Sequence, residues 1–177
     1  KYNEKCLSNL TGNKLWKLYQ LYEEKEYFTH LVSYGSPQSN ALRAMAYFAH
    51  IYQKKMIYFV HRLPSKETIH PESNLAVALR LGAEVQEVEA ECLRSFSFNY
   101  YTNKMNKGSL ARFVLQGIEG QDAKKGMERI AKEIKEDLIR ENIDVENLCV
   151  CLPAGTGTSA FYLRQFFYRR CREEVNI

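Results

Sequence analysis

Several features that mark other protein classes are absent from this sequence. No apolar run approaches the roughly 20 residues that a helix needs to cross a bilayer, and no signal-peptide pattern opens the chain. The 25 basic and 21 acidic residues are spread out, so the net charge of +4 comes without a basic run that could follow a phosphate backbone. The four histidines have no metal-ligating partners at useful spacing. These absences argue against a membrane span, a nucleic-acid partner and a metal site.

The five cysteines show neither the paired C-x-x-C spacing of a zinc site nor the dense even count of a disulfide scaffold. A reduced, cytoplasmic protein is therefore the simpler expectation. Cys149 and Cys151 lie two apart in a short apolar run, so we expect them to face one side of a strand and to pack as small apolar groups.

Helix and strand signals alternate along the chain, whose hydrophobic content of 45% is enough to build a core. Alternating or continuous apolar runs predict strands at residues 28–34, 56–61, 83–88 and 148–152, with a weaker signal at 112–116. Period-3.6 patterns predict helices at residues 13–24, 73–81, 122–141 and 160–169, and one that begins after a cap at Ser39 or Asn40. Strands separated by helices of this length pair in parallel through right-handed crossovers, so the sequence predicts a three-layer αβα sandwich of the α/β class.

Two helix starts carry candidate functional residues. Lys14 opens the first helix, where the helix dipole disfavours added positive charge, so this lysine is suited to carry a Schiff base. An exposed first-turn lysine is the alternative. Residues 38–40, QSN, open the next helix after a predicted strand, and free helix-terminal N–H groups there would suit a substrate carboxylate. Ordinary capping by Ser39 or Asn40 is the alternative.

A loop rich in glycine and hydroxyl groups follows the last predicted strand. Residues 155–159 read GTGTS and lead into a helix, the arrangement in which backbone N–H groups and a helix dipole bind a phosphate. The loop lacks the Gly-Lys-Ser/Thr ending of a nucleoside triphosphate P-loop and does not fit the GxGxxG dinucleotide fingerprint. A phosphate site and a simple tight turn both remain open.

Taken together and in this order, these segments resemble the fold type II enzymes that use pyridoxal 5'-phosphate (PLP). The most similar branch contains 1-aminocyclopropane-1-carboxylate (ACC) deaminase and D-cysteine desulfhydrase. Residues 10–18, LTGNKLWKL, are similar to its Gly-Asn-Lys-x-Arg-Lys-Leu motif around the cofactor lysine, with Trp16 in place of the arginine. Residues 34–43, YGSPQSNALR, are similar to its Gly-Gly-x-Gln-Ser-Asn-x-x-Arg segment.

Three further segments extend the resemblance over nearly all of the chain. Asn74 and residues 81–85, LGAEV, resemble the family's helix that ends before a strand. Residues 117–126 resemble a degraded form of its glycine-rich turn, and residues 155–159 take the place of its phosphate-binding loop.

The resemblance implies a role for each matching residue. Lys14 would hold PLP through a Schiff base and would shuttle a proton at the substrate carbon. Ser39 would contact the substrate carboxylate or assist proton transfer, and Asn40 would hydrogen-bond the phenolic oxygen of the cofactor ring. The phosphate would be held by the loop residues Thr156, Gly157, Thr158 and Ser159. The implied activity is that of a PLP-dependent deaminase or lyase acting on a small amino acid, of the ACC deaminase or D-cysteine desulfhydrase type.

The same resemblance implies a tryptophan synthase β-subunit-like architecture with an incomplete larger domain. Residues 17–123 would form the small domain, and residues 1–16 and 124–177 would be parts of the larger, cofactor-binding domain. The chain opens without a methionine, and the family's stretch beyond the phosphate loop, which supplies the partner of the pyridine nitrogen and an active-site tyrosine, has no counterpart here. We therefore expect a fragment or spliced form, or a surface covered by another chain. A homodimer is the expected assembly.

Two other functions stay open on the sequence alone. A fragment that keeps the fold without catalysis would be an interaction module that associates through the aromatic helix at residues 160–169. The second alternative is another fold type II activity, such as a serine or threonine dehydratase or a sulfhydrylase. Residues 38–40 argue against it, because those branches usually carry a different carboxylate loop.

Overall fold

The computed structural model describes residues 13–89, 91–144, 149–152 and 155–173. Within these ranges four strands form one parallel sheet in the order β3-β2-β1-β4. The strands are β1 (His30–Tyr34), β2 (Lys55–Val60), β3 (Glu84–Glu87) and β4 (Ala111–Phe113). This sheet confirms the predicted α/β class with parallel pairing.

Helices cover both faces of the sheet. Those in the described ranges are α1 (Asn13–Lys17), α2 (Tyr19–Glu23), α3 (Asn40–Ile51), α4 (Asn74–Arg80), α5 (Leu93–Asn106), α6 (Gln121–Arg140) and α7 (Thr158–Glu173). Two short 3-10 helices lie at Lys25–Tyr27 and Lys66–Thr68. None of the described helices is both long enough and apolar enough for a membrane crossing. The three-layer order is confirmed, whereas the predicted division at residues 17 and 123 stays a prediction.

Strands β1 and β2 are buried on both faces, which is why continuous apolar runs predicted them. On one face, Leu31 and Met56 join the core formed with α2, α3 and α4. On the other, Val32, Ile57 and Phe59 form a second core with aromatic side chains of α5. The carboxyl ends of both strands are thereby fixed between two packed layers, and the loops that follow them start from a rigid base.

A serine caps the start of each of α3 and α4: Ser39 is a cap that the sequence predicts, whereas Ser73 was predicted as the first residue of its helix. Oγ of Ser39 accepts a hydrogen bond from the Ala41 N–H at 3.1 Å, and Oγ of Ser73 accepts one from the Ala76 N–H at 3.2 Å. Gly82 follows α4 with φ of 88°, a left-handed conformation that favours glycine at a helix end. Because α3 follows β1 and α4 follows β2, the two capped helix starts lie at the same edge of the sheet.

The helix predicted over residues 13–24 is in fact two short helices, α1 and α2. The N–H of Leu18, between them, is shared by the carbonyl oxygens of Lys14 at 3.2 Å and Leu15 at 3.1 Å. This shared bond tightens the turn. Lys17 and Leu18 are both buried, each at most 1% exposed. The helical apolar pattern predicted the burial of Leu18 but not that of Lys17.

Helix α5 has no counterpart among the sequence predictions. Its sequence mixes aromatic and polar residues without an apolar face, and Ser97 is its one buried residue. The helix instead covers the sheet with partly exposed rings: Phe96 and Tyr100 lie edge-on to Phe59, with centroids 5.2 and 5.0 Å away. The predicted strand that follows is shorter and begins one residue earlier, as β4.

The strand predicted at residues 148–152 is wrong for the part that the structure describes. Residues 149–152 adopt no regular structure, and residue 148 lies outside the described ranges. Cys149 and Cys151 are exposed rather than packed, with their Sγ atoms 3.9 Å apart. An apolar run becomes a strand only when a neighbouring strand takes its hydrogen bonds, and the described sheet ends at β3 and β4.

Arg112 on β4 ties α2 and α6 to the sheet. Its Nε donates to Glu24 at 2.9 Å, and its Nη2 donates to the buried carboxylate of Asp122. Burial raises the pKa of Asp122, and the positive charge of Arg112 opposes that shift. The guanidinium therefore holds the amino-terminal helices against the start of α6.

Candidate functional site

The segment between β4 and α6, residues 114–120, is the point at which the predicted site segments meet. We call it the β4–α6 turn. Gln116 on this turn lies beside Gly35 at the end of β1, since a Cβ on that glycine would lie 3.2 Å from Gln116 Cγ. Its neighbour Gly117 accepts a hydrogen bond from Lys17 and lies against Thr156. The β4–α6 turn thus joins the end of β1, α1 and the loop before α7.

Helix α1 lies directly on the backbone of α6. A Cβ added to Gly126 would lie 1.6 Å from the carbonyl oxygen of Trp16, so only glycine permits this approach. The contact fixes where α1 presents Lys14, whose side chain is partly exposed. The sequence predicted Gly126 both within a helix over residues 122–141 and at the end of a segment resembling a glycine-rich turn, and the structure confirms the helix as α6.

Lys17 is the charged residue that sequence reasoning missed. It is 1% exposed, and its Nζ donates to the Gly117 carbonyl oxygen at 3.2 Å. Burial, followed by the nearby charge and hydrogen bond of Lys14, lowers its pKa from 10.5 to about 8, while Glu119 opposes the shift. Its spacing of three residues from Lys14 was the available signal, because residues three apart share one face of a helix.

The start of α3 lies over a buried phenol. Gly35, at the end of β1, has φ of 145°, and a Cβ there would lie 2.6 Å from Oη of Tyr58. Among the described residues, that Oη has no hydrogen-bond partner of ordinary geometry. Burial raises the pKa of Tyr58, and the neighbouring Ser39 side chain opposes part of the shift. Ser39 therefore sits between a buried hydroxyl group and the first turn of α3.

Asn40 is the first residue of α3, and its side chain is exposed. Its Oδ1 accepts a hydrogen bond from Nδ2 of Asn74, the first residue of α4, at 2.9 Å. The same Nδ2 also donates to the Gln38 carbonyl oxygen at 2.7 Å. The amide of Asn74 thus connects the starts of the two helices.

The loop before α7 is a compact turn at the start of a long helix. Helix α7 begins at Thr158, two residues earlier than predicted, so Thr158 and Ser159 belong to its first turn. Gly157 has φ of 74°, and the hydroxyl groups of Thr156 and Thr158 are 2.8 Å apart. Ser159 is buried. The first turn of a helix leaves N–H groups that attract an anion, and the Lys17–Gly117–Thr156 contacts bring a buried cation toward this turn.

The structure therefore connects Lys14 and Lys17 on α1 with residues 156–159, through the β4–α6 turn. It places Ser39 and Asn40 at the carboxyl edge of β1, reached from the same turn through Gly35. The catalytic and cofactor-binding roles of these residues remain predictions. Within the described part of the chain, no group of three or more histidine, cysteine or acidic side chains is arranged to hold a metal ion.

Comparison with known proteins gives similarity in structure but not in sequence. No family model matches the chain, and no curated protein does. An ACC deaminase homologue superposes with a TM-score of 0.71 at 19% identity, over 88% of this chain and 46% of its own. The T.th. threonine deaminase superposes with a TM-score of 0.64 at 18% identity, over 90% of this chain and 47% of its own. A pyridoxal 5'-phosphate-dependent aspartate racemase superposes with a TM-score of 0.56 at 15% identity, over 89% of this chain and 43% of its own.

The chain has the fold of the fold type II PLP enzymes. At these identities the similarity shows the fold alone, and the chain spans less than half the length of each of these proteins.

The residues present fit the PLP known from this fold. A phosphate needs backbone N–H groups and a nearby cation, and the start of α7 with Lys17 offers both. A covalently held aldehyde needs an accessible amine, which Lys14 offers from a helix that Gly126 fixes in place. An oxygen on the cofactor ring needs a donor, and the exposed amide of Asn40 carries one.

Proposed function

We propose that this chain binds PLP through Lys14 and belongs to a deaminase or lyase that acts on a small amino acid. The observation that carries the proposal is the buried Lys17 between Lys14 and the Gly117–Thr156 contact, in a chain with the PLP fold. When bound, PLP draws electrons away from the α-carbon of an amino acid, which permits proton removal or elimination there.

Each part of the chain has a separate task in this proposal. The amine of Lys14 forms the covalent link and takes or returns a proton at the α-carbon. Lys17 and the N–H groups at Thr158 and Ser159 hold the phosphate. Ser39, with the start of α3, holds the substrate carboxylate, and Asn40 donates to the ring oxygen. Burial of Lys17 strengthens its attraction to a phosphate, because little water screens the pair.

The reaction type and assembly are also proposals. The motif around Lys14 and residues 38–40 favour ACC deaminase or D-cysteine desulfhydrase chemistry. A dehydratase remains the second candidate, because the threonine deaminase superposes over 90% of this chain. An association module without catalysis is the third, and its support is Phe161, which is 61% exposed on α7. A homodimer is proposed for the enzyme.

The first experiment tests covalent binding. Purified protein incubated with excess PLP should become yellow, and borohydride reduction followed by peptide mass spectrometry should find the cofactor on Lys14. Lys14→Ala should abolish the colour, whereas Lys107→Ala, an exposed lysine beyond α5, should leave it unchanged. A colourless wild-type protein would refute the proposal.

The second experiment separates the phosphate site from the covalent link. Lys17→Met should weaken binding of PLP by about tenfold or more but leave binding of pyridoxal, which lacks the phosphate, nearly unchanged. Equal losses for both ligands would contradict the role of Lys17. Sulfide and ammonia release from D-cysteine, ACC and threonine would then identify the reaction type.

A further inference from the structure

Asn74 lies at the start of α4, yet its side chain is bonded to the loop that starts α3. Nδ2 of Asn74 donates to the Gln38 carbonyl oxygen at 2.7 Å and to Oδ1 of Asn40 at 2.9 Å. An amide nitrogen carries two protons, so these two acceptors use both of them. Asn74 therefore holds both the backbone and a side chain of the loop that carries the proposed binding residues.

This arrangement determines which way the Asn40 amide faces. A backbone carbonyl only accepts, so the atom of Asn74 beside Gln38 has to be the nitrogen. The same nitrogen faces Asn40, so Asn40 has to turn its oxygen toward Asn74. Nδ2 of Asn40 then points away from Asn74, and it makes no hydrogen bond within the part of the chain that the structure describes.

We propose that Asn74 is a positioning residue that makes Asn40 present a hydrogen-bond donor, and not an acceptor, to the bound ligand. This inference rests on the proposed function. It specifies that the ligand atom hydrogen-bonded to Asn40 is an oxygen carrying negative charge, such as the phenolic oxygen of PLP. Without Asn74, the amide of the exposed Asn40 turns freely and offers its oxygen as often as its nitrogen.

A purely structural role for Asn74 predicts different behaviour. If Asn74 only joins α3 to α4, its substitutions should change stability and ligand binding together. Asn74→Asp and Asn74→Ala both remove the two hydrogen bonds that Nδ2 donates, so the loss of the contact with Gln38 is common to them, and only the aspartate adds an acceptor beside Asn40. A carboxylate in the first turn of α4 is favourable to the helix dipole, but it can only accept, so it would draw Nδ2 of Asn40 toward itself and turn Oδ1 toward the ligand.

The test measures the PLP dissociation constant together with the melting temperature of the cofactor-free chain. Asn74→Asp should weaken PLP binding by about tenfold or more, and Asn74→Ala should weaken it less. The melting temperatures show how much of each loss comes with a loss of stability, since the aspartate also faces the Gln38 carbonyl oxygen. Asn103→Asp, the same change on an exposed position of α5, should alter neither quantity. In an Asn40→Ala background, Asn74→Asp should cause no further loss, because Asn74 acts through Asn40.

A measurement on the cofactor-free protein tests the orientation itself. In 15N-labelled protein, the Asn40 side-chain NH2 signal should exchange with solvent in the wild type and become protected in Asn74→Asp.

Unchanged binding in Asn74→Asp, an equal loss in the Asn40→Ala background, or an unchanged Asn40 signal would each overturn this inference while the proposed function stands. A wild-type protein that does not bind PLP would overturn both.

Discussion

Substituting alanine for Gly126 tests whether α1, and with it Lys14, is seated on α6 as described. The added Cβ would lie 1.6 Å from the oxygen and 2.4 Å from the carbon of the Trp16 carbonyl. Since carbon and oxygen rarely approach within about 3.3 Å, α1 would have to withdraw by roughly 1.7 Å. Overpacking of this kind costs about 1–3 kcal/mol, and a clash with backbone belongs at the upper end. Alanine regains about 1 kcal/mol of helix propensity.

The expected net loss is therefore about 2 kcal/mol of unfolding free energy, or about 4–8 °C in melting temperature for a chain of this size. Urea unfolding followed by circular dichroism measures this loss. Trp16 is the one tryptophan in the sequence, so its fluorescence reports the seating of α1 directly. Its emission should shift to longer wavelength in the folded variant.

Gly155→Ala is the matched control, because a Cβ there meets no atom of the described residues within 4 Å, its chain neighbours aside. Its stability should change by less than about 0.5 kcal/mol. If Gly126→Ala were instead as stable as the wild type or more stable, the substitution would change the unfolding free energy through helix propensity alone, without a clash. The contact between α1 and α6, and the position it gives to Lys14, would then be wrong.

Three further substitutions test the buried groups beside the site. Because the pKa of Lys17 falls from 10.5 to about 8 on folding, the wild type should gain stability relative to Lys17→Met as the pH rises through this interval, by about 3 kcal/mol at most. Between these two pH values the folded wild type has released a proton from Lys17 that the unfolded chain still holds. Urea unfolding at several pH values measures the difference in unfolding free energy between the two proteins, and a difference that does not change with pH would contradict the prediction. Gly35→Ala should cost about 2 kcal/mol, since its Cβ would meet Oη of Tyr58 2.6 Å away at φ of 145°. Adding Tyr58→Phe should recover about half of that loss by removing the oxygen, and no recovery would place the clash elsewhere.

Local signals in the sequence predicted the elements that local physics determines. The apolar runs of β1 and β2 are buried on both faces, and Ser39 caps α3 where expected. These features depend on side chains a few residues apart. Helix α5 was missed because it packs through individual rings such as Phe96 and lacks a continuous apolar face. Its position is determined by the sheet beneath it.

The site was predictable only in its parts. Motifs predicted roles for Lys14, Asn40 and residues 156–159 that stay predictions, and the spacing of Lys17 from Lys14 did not show that Lys17 would be buried against Gly117. That burial requires the turn at Leu18 and the close approach of α1 to α6, both of which are tertiary features. At residues 148–152 the error is the opposite one: the local pattern predicted a strand, but residues 149–152 pair with no strand of the described sheet.

The hydrogen bond between Lys17 and Gly117 joins residues that are 100 positions apart. During synthesis, α1 and α2 therefore leave the ribosome long before the β4–α6 turn and α6 exist to receive them. β1 and β2 can pair in the parallel sheet before α6, the helix on whose backbone α1 lies, has been made. Lys14 is thus made long before the part of the chain against which α1 is held, so the proposed cofactor site can form only after α6 has been made.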